Sequence, residues 1–188
     1  MYLDWHVETG AFSPEQCDSI ISAGLSKPLE YAKIGGDVEG RVDFSFRRTK
    51  LRWLDISEIE QVYTRVFLTA KAVNRDSFSF DIGYGIKDIQ FTEYHSDDMG
   101  FYNWHQDTFY RSPSLFDRKL SVVIQLSDPD SYEGGEFEFD RCEPLPQELF
   151  RPRGSMIIFP SFQYHKVTEV TRGIRHSLVM WVDGPKWR

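Results

Sequence analysis

Cysteine is scarce in this chain: Cys17 and Cys142 are the only two. They stand far apart, without the close pairing of a metal motif, so two free thiols are expected. Long apolar runs are missing too. No stretch is long enough to span a bilayer, and the opening MYLDWHVETG lacks the layout of a signal peptide. A soluble, cytoplasmic protein is the expectation. Positive charge is in short supply, with 22 Lys and Arg against 29 Asp and Glu, a net charge of −7. That balance argues against a nucleic-acid or membrane-surface binder, since either needs a basic field. Internal repeats and low-complexity segments are absent as well.

What is present suits an ordered, aromatic-rich fold: 40% hydrophobic and 15% aromatic residues in a chain of 188. That length makes one domain the default and can bury a real core. Leu3–Glu8 reads as a short strand. Ser13-Pro14-Glu15-Gln16 is a helix start, with Ser13 as N-cap, Pro14 at N1 and Gln16 closing a capping box. Cys17, Ile20, Ile21 and Leu25 then share a helical face, and Gly24 or Lys27-Pro28 ends the helix. Leu29–Ile34 reads as a strand and Gly35–Gly40 as a loop. Arg41–Leu54 combines alternation with five basic residues (Arg41, Arg47, Arg48, Lys50, Arg52). It predicts a solvated hairpin or, alternatively, a lid over a pocket. A second capping box at Ser57-x-x-Glu60 predicts a helix over Glu58–Asn74. Its stripe of Ile59, Val62, Tyr63, Val66, Phe67, Ala70 and Val73 is core.

From Ser77 the pattern changes to short β-type runs: Phe78–Ile82, Ile89–His95, Phe101–Asp107, Lys119–Ser127, Glu136–Asp140, Ser155–Phe159, Lys166–Val170 and Ile174–Val182. Many short strands without interleaved helices predict a mostly β fold, a barrel or double-sheet jelly roll. Residues 1–76 would supply helical support and the lid segment, and 77–188 the β core.

The chemistry concentrates in Phe101–Asp107, FYNWHQD. Residues i and i+2 of a strand share a face, so His105 and Asp107 can grip one ion from one side. His165, after a strand and a turn, is placed to supply a third ligand. Two histidines and one carboxylate hold one face of a non-haem Fe(II) and leave its other positions open. Ten residues later stands Arg175, sharing a strand face with Ser177, Val179 and Trp181. A guanidinium and a hydroxyl there can hold a carboxylate. The same parity puts Phe101 and Asn103 on the pocket side. Tyr102 and Trp104 then pack against a second layer, unless a bulge shifts the parity. His6, His95 and His176 read as structural or surface residues, and Lys166 and Arg172 point elsewhere.

With those residues in place, the stretch from about Gln90 to Asp183 resembles the Fe(II)- and 2-oxoglutarate-dependent dioxygenases, most closely their prolyl 4-hydroxylase-like branch. The resemblance is carried by Tyr94, Gly100, His105-Gln106-Asp107, Glu133-Gly134-Gly135-Glu136-Phe137, Pro152-Arg153-Gly154-Ser155, Phe159-Pro160, and His165 with Val170-Thr171-Arg172-Gly173-Ile174-Arg175. It implies a distorted double-stranded β-helix, a jelly roll with helical support. It further implies iron on His105, Asp107 and His165, and the C5 carboxylate of 2-oxoglutarate on Arg175. Tyr94 matches a tyrosine near that co-substrate. Gln125 stands where some relatives place a tyrosine, and Ser177 is a further contact. Arg48-Thr49 corresponds to a substrate-loop arginine. The implied reaction uses O2 and 2-oxoglutarate, releases succinate and CO2 and hydroxylates a C–H bond, with ascorbate as a reductant.

The substrate implied first is a peptidyl residue, proline. The alternative is a free amino acid or other small metabolite. Nucleic-acid demethylation fits poorly, because Trp181 stands where such relatives carry a second arginine. A non-catalytic binding domain would not need every ligand, and cupins favour more histidines around their ion.

Overall fold

The computed structural model describes residues 4–33, 40–83, 86–108 and 114–187. In chain order the strands and α-helices are β1 (His6–Glu8), α1 (Pro14–Leu25), β2 (Glu30–Tyr31), β3 (Arg47–Arg48), β4 (Lys50–Trp53), α2 (Glu60–Val73), β5 (Ile86–His95) and β6 (Phe101–His105). There follow β7 (Phe116–Gln125), β8 (Glu133–Gly134), β9 (Phe137–Phe139), α3 (Gln147–Phe150), β10 (Met156–Pro160), β11 (His165–Val167), β12 (Val170–Arg172) and β13 (Ile174–Pro185). A seven-stranded sheet runs in the order β1-β10-β7-β13-β5-β4-β2, and a four-stranded sheet in the order β3-β6-β11-β9. β12 pairs with β8 in a small third sheet. Pairing is antiparallel throughout these described strands. The result is the mostly β jelly roll with helical support that the sequence predicts.

Period-2 alternation explains the layering. On β7, Leu120, Val122 and Ile124 join Met156, Ile158, Leu178 and Met180 in one cluster. Cys17 and Ile20 of α1 and Val62, Val66, Ala70 and Val73 of α2 belong to the same cluster, so both helices cover that face. The intervening residues Val123, Ile157 and Phe159 turn the other way, onto Phe137 and Val167 of the four-stranded sheet. The large sheet is therefore buried on both sides. Under the helices its outer face is apolar, and Ser121, Gln125, Arg175 and Ser177 lie on its inner face. That division positions the site.

α1 starts as its sequence dictates: Gln16 N–H donates to Ser13 Oγ (3.3 Å), and Ser13 N–H donates to Gln16 Oε1 (2.9 Å). Gly24 does not end it, because the helix continues to Leu25 and is capped at Ser26. The glycine is needed for packing instead, since a Cβ there would run into the Phe91 ring. The second reciprocal cap uses Asp55 and Glu58 rather than Ser57 and Glu60. Asp55 N–H donates to Glu58 Oε2 (2.9 Å) and opens a 3-10 turn, Ile56–Glu58, ahead of α2. An apolar stripe marks the helix but not its first turn, which explains the offset.

Two predicted β segments are corrected. Phe78–Ile82 forms no strand. α2 runs on through a π-helical turn, Asn74–Phe78, and the Asn74 amide clasps the Phe80 backbone at both ends (2.9 and 3.0 Å). Arg41–Leu54 is not a hairpin either. β3 pairs with β6 in the small sheet, whereas β4 pairs with β5 in the large one. Residues 47–53 thus link the two layers. Of the strand expected over Leu29–Ile34, the described residues Leu29–Lys33 form only Glu30–Tyr31, and Ile34 lies outside the described residues. The loop expected at Gly35–Gly40 lies outside the described residues except for Gly40. Cys17 and Cys142 are both free. No described helix is long and apolar enough to cross a membrane.

Gly24→Val is expected to destabilise the fold. Forcing a branched side chain against a fully buried ring costs about 1–3 kcal/mol, more than the roughly 0.5 kcal/mol that leaving glycine gains in helix propensity. Denaturant titration should show a lower midpoint. An unchanged midpoint would mean that α1 shifts freely on the sheet.

Candidate metal centre

The antiparallel register of β6 and β11 sets His165 directly across from His105. Directly opposed residues project their side chains to the same face, close together. The two imidazole centroids lie 4.1 Å apart. Asp107 comes from just beyond the end of β6. Its N–H donates to the Ser161 carbonyl (2.9 Å), which fixes the chain against the turn that follows β10. The carboxylate is then 3.7 Å from each Nε2: Oδ1 from His105 and Oδ2 from His165. One ligand atom from each of these three buried residues lies within 4.8 Å of the others.

The surroundings prepare each group for a cation. His105 Nδ1–H donates to the Asn103 carbonyl (2.7 Å) and His165 Nδ1–H to the Gln163 carbonyl (2.9 Å). Both Nε2 lone pairs are thereby turned towards Asp107. The Ser121 hydroxyl donates to Asp107 Oδ2 (2.6 Å) and is itself linked to Ser161 (2.9 Å). Burial holds His105 well below the usual imidazole range, with His165 adding to the effect, and burial lowers His165 as well. Burial alone would raise Asp107. The two imidazoles, Arg118 and the Ser121 hydroxyl outweigh it and bring the carboxyl down to about 2. Two neutral imidazoles beside an ionised carboxylate are the protonation states a divalent metal requires.

A cavity of about 240 Å³ extends from this cluster, lined in part by Tyr94, Arg175, Ser177, Arg47 and Trp181. Arg175, 1% exposed, pairs across the sheet with Tyr94, and its guanidinium lies 5.4 Å from the Tyr94 ring centre. Its Nη2 has no hydrogen-bond partner among the described residues. A buried guanidinium with an unfilled donor is a fit for a carboxylate. Gly135 leaves it room, because a Cβ there would lie 2.8 Å from Arg175 Cδ. Ser177 shares the Arg175 face. Gln125 sits opposite Ser177 but does not line the cavity, and its amide meets the Tyr132 hydroxyl (2.6 Å).

Several placements correct the strand-parity reading. Phe101 and Asn103 do not line the cavity, whereas Tyr102 does. The β6–β11 ladder has an irregularity that pairs Val167 with Tyr102 while His165 pairs with His105. That shift brings the two residues, three apart, onto one face, and their rings stack at 3.4 Å. Arg47 covers the other side of Tyr102, 4.1 Å from the ring centre. Arg48 instead turns outward, donating to the Phe44 and Asp98 carbonyls (2.9 and 3.2 Å), so Arg47 is the arginine of this segment that reaches the pocket. Arg118 also lines the cavity and stacks 3.6 Å over Trp181. Ser121, Tyr132 and Arg118 escaped the sequence reading. For Ser121 the signal was available, since it shares the inward parity of Val123 and Gln125. The remaining assignments stand as read: His95 and His176 face Glu93 outside the pocket, Lys166 pairs with Glu138, and Arg172 with Glu133.

A jelly roll that gathers two imidazoles and a carboxylate at one end of a cavity, with a buried arginine along its wall, defines a structural class of candidate metal-dependent oxygenases. Residues 89–183 match the family model described as the 2OG-Fe(II) oxygenase superfamily, and the chain belongs to that superfamily. Membership implies Fe(II), 2-oxoglutarate and O2. Among curated relatives, a PKHD-type hydroxylase of Prochlorococcus marinus is 35% identical over 118 residues, covering 62% of this chain and 51% of that protein. Another, of Pseudomonas fluorescens, is 37% identical over 88 residues, 45% of this chain and 38% of that one. The chain therefore spans about half the length, or less, of these relatives. Among solved structures, a Pseudomonas putida prolyl-4-hydroxylase superposes with a TM-score of 0.71 at 18% identity, covering 95% of this chain and 91% of that one. A prolyl hydroxylase from Trichoplax adhaerens, bound to a hypoxia inducible factor oxygen degradation domain peptide fragment, gives 0.74 at 13% identity, covering 95% and 83%. These two are likenesses of fold.

Mn(II) titration of the metal-free protein should show one site that Asp107→Ala removes. Ser121→Ala, which strips the hydroxyl from Oδ2, should weaken it by about 10–100-fold. Undiminished affinity in Ser121→Ala would show that the hydroxyl does not orient the carboxylate.

Proposed function

We propose that this chain is an Fe(II)- and 2-oxoglutarate-dependent hydroxylase of a peptidyl residue, with proline the first candidate. The observation that carries the proposal is the convergence of His105, Asp107 and His165 within 4.8 Å. Iron, when bound, supplies the oxygen-activating chemistry that couples decarboxylation of 2-oxoglutarate to hydroxylation of a C–H bond. The chain's own share is positioning. His105, Asp107 and His165 hold the metal through Nε2, carboxylate and Nε2. Arg175 takes the distal carboxylate of 2-oxoglutarate in a dry, charge-assisted contact. Tyr94 and Ser177 line the pocket there, with Gln125 across the sheet from Ser177.

The pocket wall supports a chain-like substrate. Glu30, Tyr31 and Trp53 belong to the cavity lining, and Tyr31 and Trp53 are 51% and 40% exposed. At about 240 Å³ the cavity is below the usual range of roughly 300–1,000 Å³ for small-molecule sites. A co-substrate would fill much of it. What remains suits one side chain entering from a peptide laid across exposed aromatics. The PKHD-type hydroxylase relatives and the peptide-bound neighbour agree with this reading. The alternative, a free amino acid or small metabolite, uses the same metal centre. Strands near both ends of the chain share the large sheet, which supports one domain over 1–188. A reducing, cytoplasmic setting with ascorbate as reductant suits a ferrous site.

Iron-loaded protein should convert 2-oxoglutarate to succinate, and Asp107→Ala should not. Mass spectrometry of proline-containing peptides should show one added oxygen; robust turnover of a small molecule with none on any peptide would favour the alternative. Arg175→Ala should weaken 2-oxoglutarate binding by about 10–100-fold, the size of a lost ionic hydrogen bond, while leaving metal affinity intact. Loss of metal instead would assign the arginine a different role.

A further inference from the structure

Besides Trp181 Nε1, two side-chain polar atoms on the inner face of the large sheet are buried without a partner among the described residues: Arg175 Nη2 and Gln125 Oε1. They belong to adjacent strands. Gln125 is directly opposite Ser177, and Arg175 is two residues along from Ser177 on the same face. Such diagonal neighbours lie about 7–8 Å apart at the backbone, within reach of long side chains. Both residues are only 1% exposed. The other end of the Gln125 amide is engaged: its Nε2 lies 2.6 Å from the hydroxyl of Tyr132, itself 2% exposed. Tyr132 borders Arg175 as well. A Cβ on Gly135 would meet Arg175 Cδ at 2.8 Å and Tyr132 Cε2 at 3.5 Å.

An unpaired amide oxygen here is a costly arrangement. A half-turn of the amide exchanges its two ends within the same outline. Oε1 then accepts the Tyr132 O–H, and the NH2 occupies the unpartnered position. Besides Trp181 Nε1, the face now carries two buried unfilled donors on these adjacent strands, the amide N–H and Arg175 Nη2. An anion with two oxygens satisfies both at once.

We propose that Tyr132 is a positioning residue for the co-substrate site. Its hydroxyl fixes the Gln125 amide with the NH2 directed at the distal carboxylate that Arg175 binds. The proposal rests on the reading of Arg175 given above. It accounts for a glutamine at this position: a buried phenol from the β7–β8 connection orients an amide that would otherwise present either end. Tyr132 is held for that task, with Arg151 lying 4.7 Å from its ring centre and donating to its carbonyl (3.1 Å).

The test uses Mn(II)-loaded protein and calorimetry with two oxo acids, 2-oxoglutarate and 2-oxobutyrate. They share the metal-chelating end, and only the first has a distal carboxylate. Gln125→Leu should raise the Kd for 2-oxoglutarate by about 10–50-fold, as expected for a lost hydrogen bond to a charged group, and Tyr132→Phe by about 3–10-fold. The double variant should be no weaker than Gln125→Leu alone, because the hydroxyl acts through the amide. Neither variant should change the Kd for 2-oxobutyrate. The inference is overturned if Tyr132→Phe leaves 2-oxoglutarate binding unchanged, if it weakens both acids equally, or if the two losses multiply in the double variant. Arg175→Met separates the two levels. If it weakens 2-oxoglutarate alone while the other variants do nothing, only the role of Tyr132 falls. If it has no effect, the assignment of Arg175 falls, and this inference with it.

Discussion

His165 faces His105 across two short antiparallel strands, and that register decides what the rest of the pocket can be. Slipping either strand by one residue would turn an imidazole to the opposite face. The register is secured from several directions. β9 flanks β11 on its far side, Phe137 stacks on the His165 ring at 5.2 Å, and Tyr102 stacks on His105. The carboxylate is set independently, by the backbone bond of Asp107 to Ser161 and by the Ser121 hydroxyl. The small sheet thus presents the imidazoles, and the large sheet secures the acid.

The charge inside contrasts with the charge outside. The chain carries a net −7, yet Arg47, Arg118 and Arg175 line the cavity beside Asp107. A low-dielectric cleft strengthens the field of such groups. A dianionic oxo acid would therefore meet cationic walls in an otherwise acidic protein. Tyr94 and Tyr102 are consistent with this: burial raises both phenols, so they remain neutral donors beside those arginines at ordinary pH.

Much of this arrangement is legible in the order of residues. Alternation along Leu120–Gln125 and Ser177–Trp181 separates the helix-covered face from the pocket face, and Ser13 with Gln16 marks the start of α1. The His105, Asp107, His165 and Arg175 positions follow from spacing and parity together. What escapes is what depends on partners distant in sequence. The bulge that brings Tyr102 to the cavity belongs to the pairing of two strands, not to either one. The Ser121 contact with Asp107 and the Tyr132 contact with Gln125 arise only when β7 is bent into the sheet. The Asp55–Glu58 cap forms in place of the Ser57–Glu60 pair; both obey the same local rule, and only packing selects between them.

The pairing of His6–Glu8 with Met156–Ile158 has a kinetic corollary. A chain emerging in order makes this edge strand some 150 residues before the ladder that receives it. The segment must wait unpaired until then. Closure of so long a loop raises the entropic barrier to collapse, so slow, late-consolidating assembly is the natural rhythm of such a topology. Until it is complete, the unpaired N–H and C=O groups along the edge of the apolar strand β10 are open to strangers, and chaperone protection would matter most in that interval.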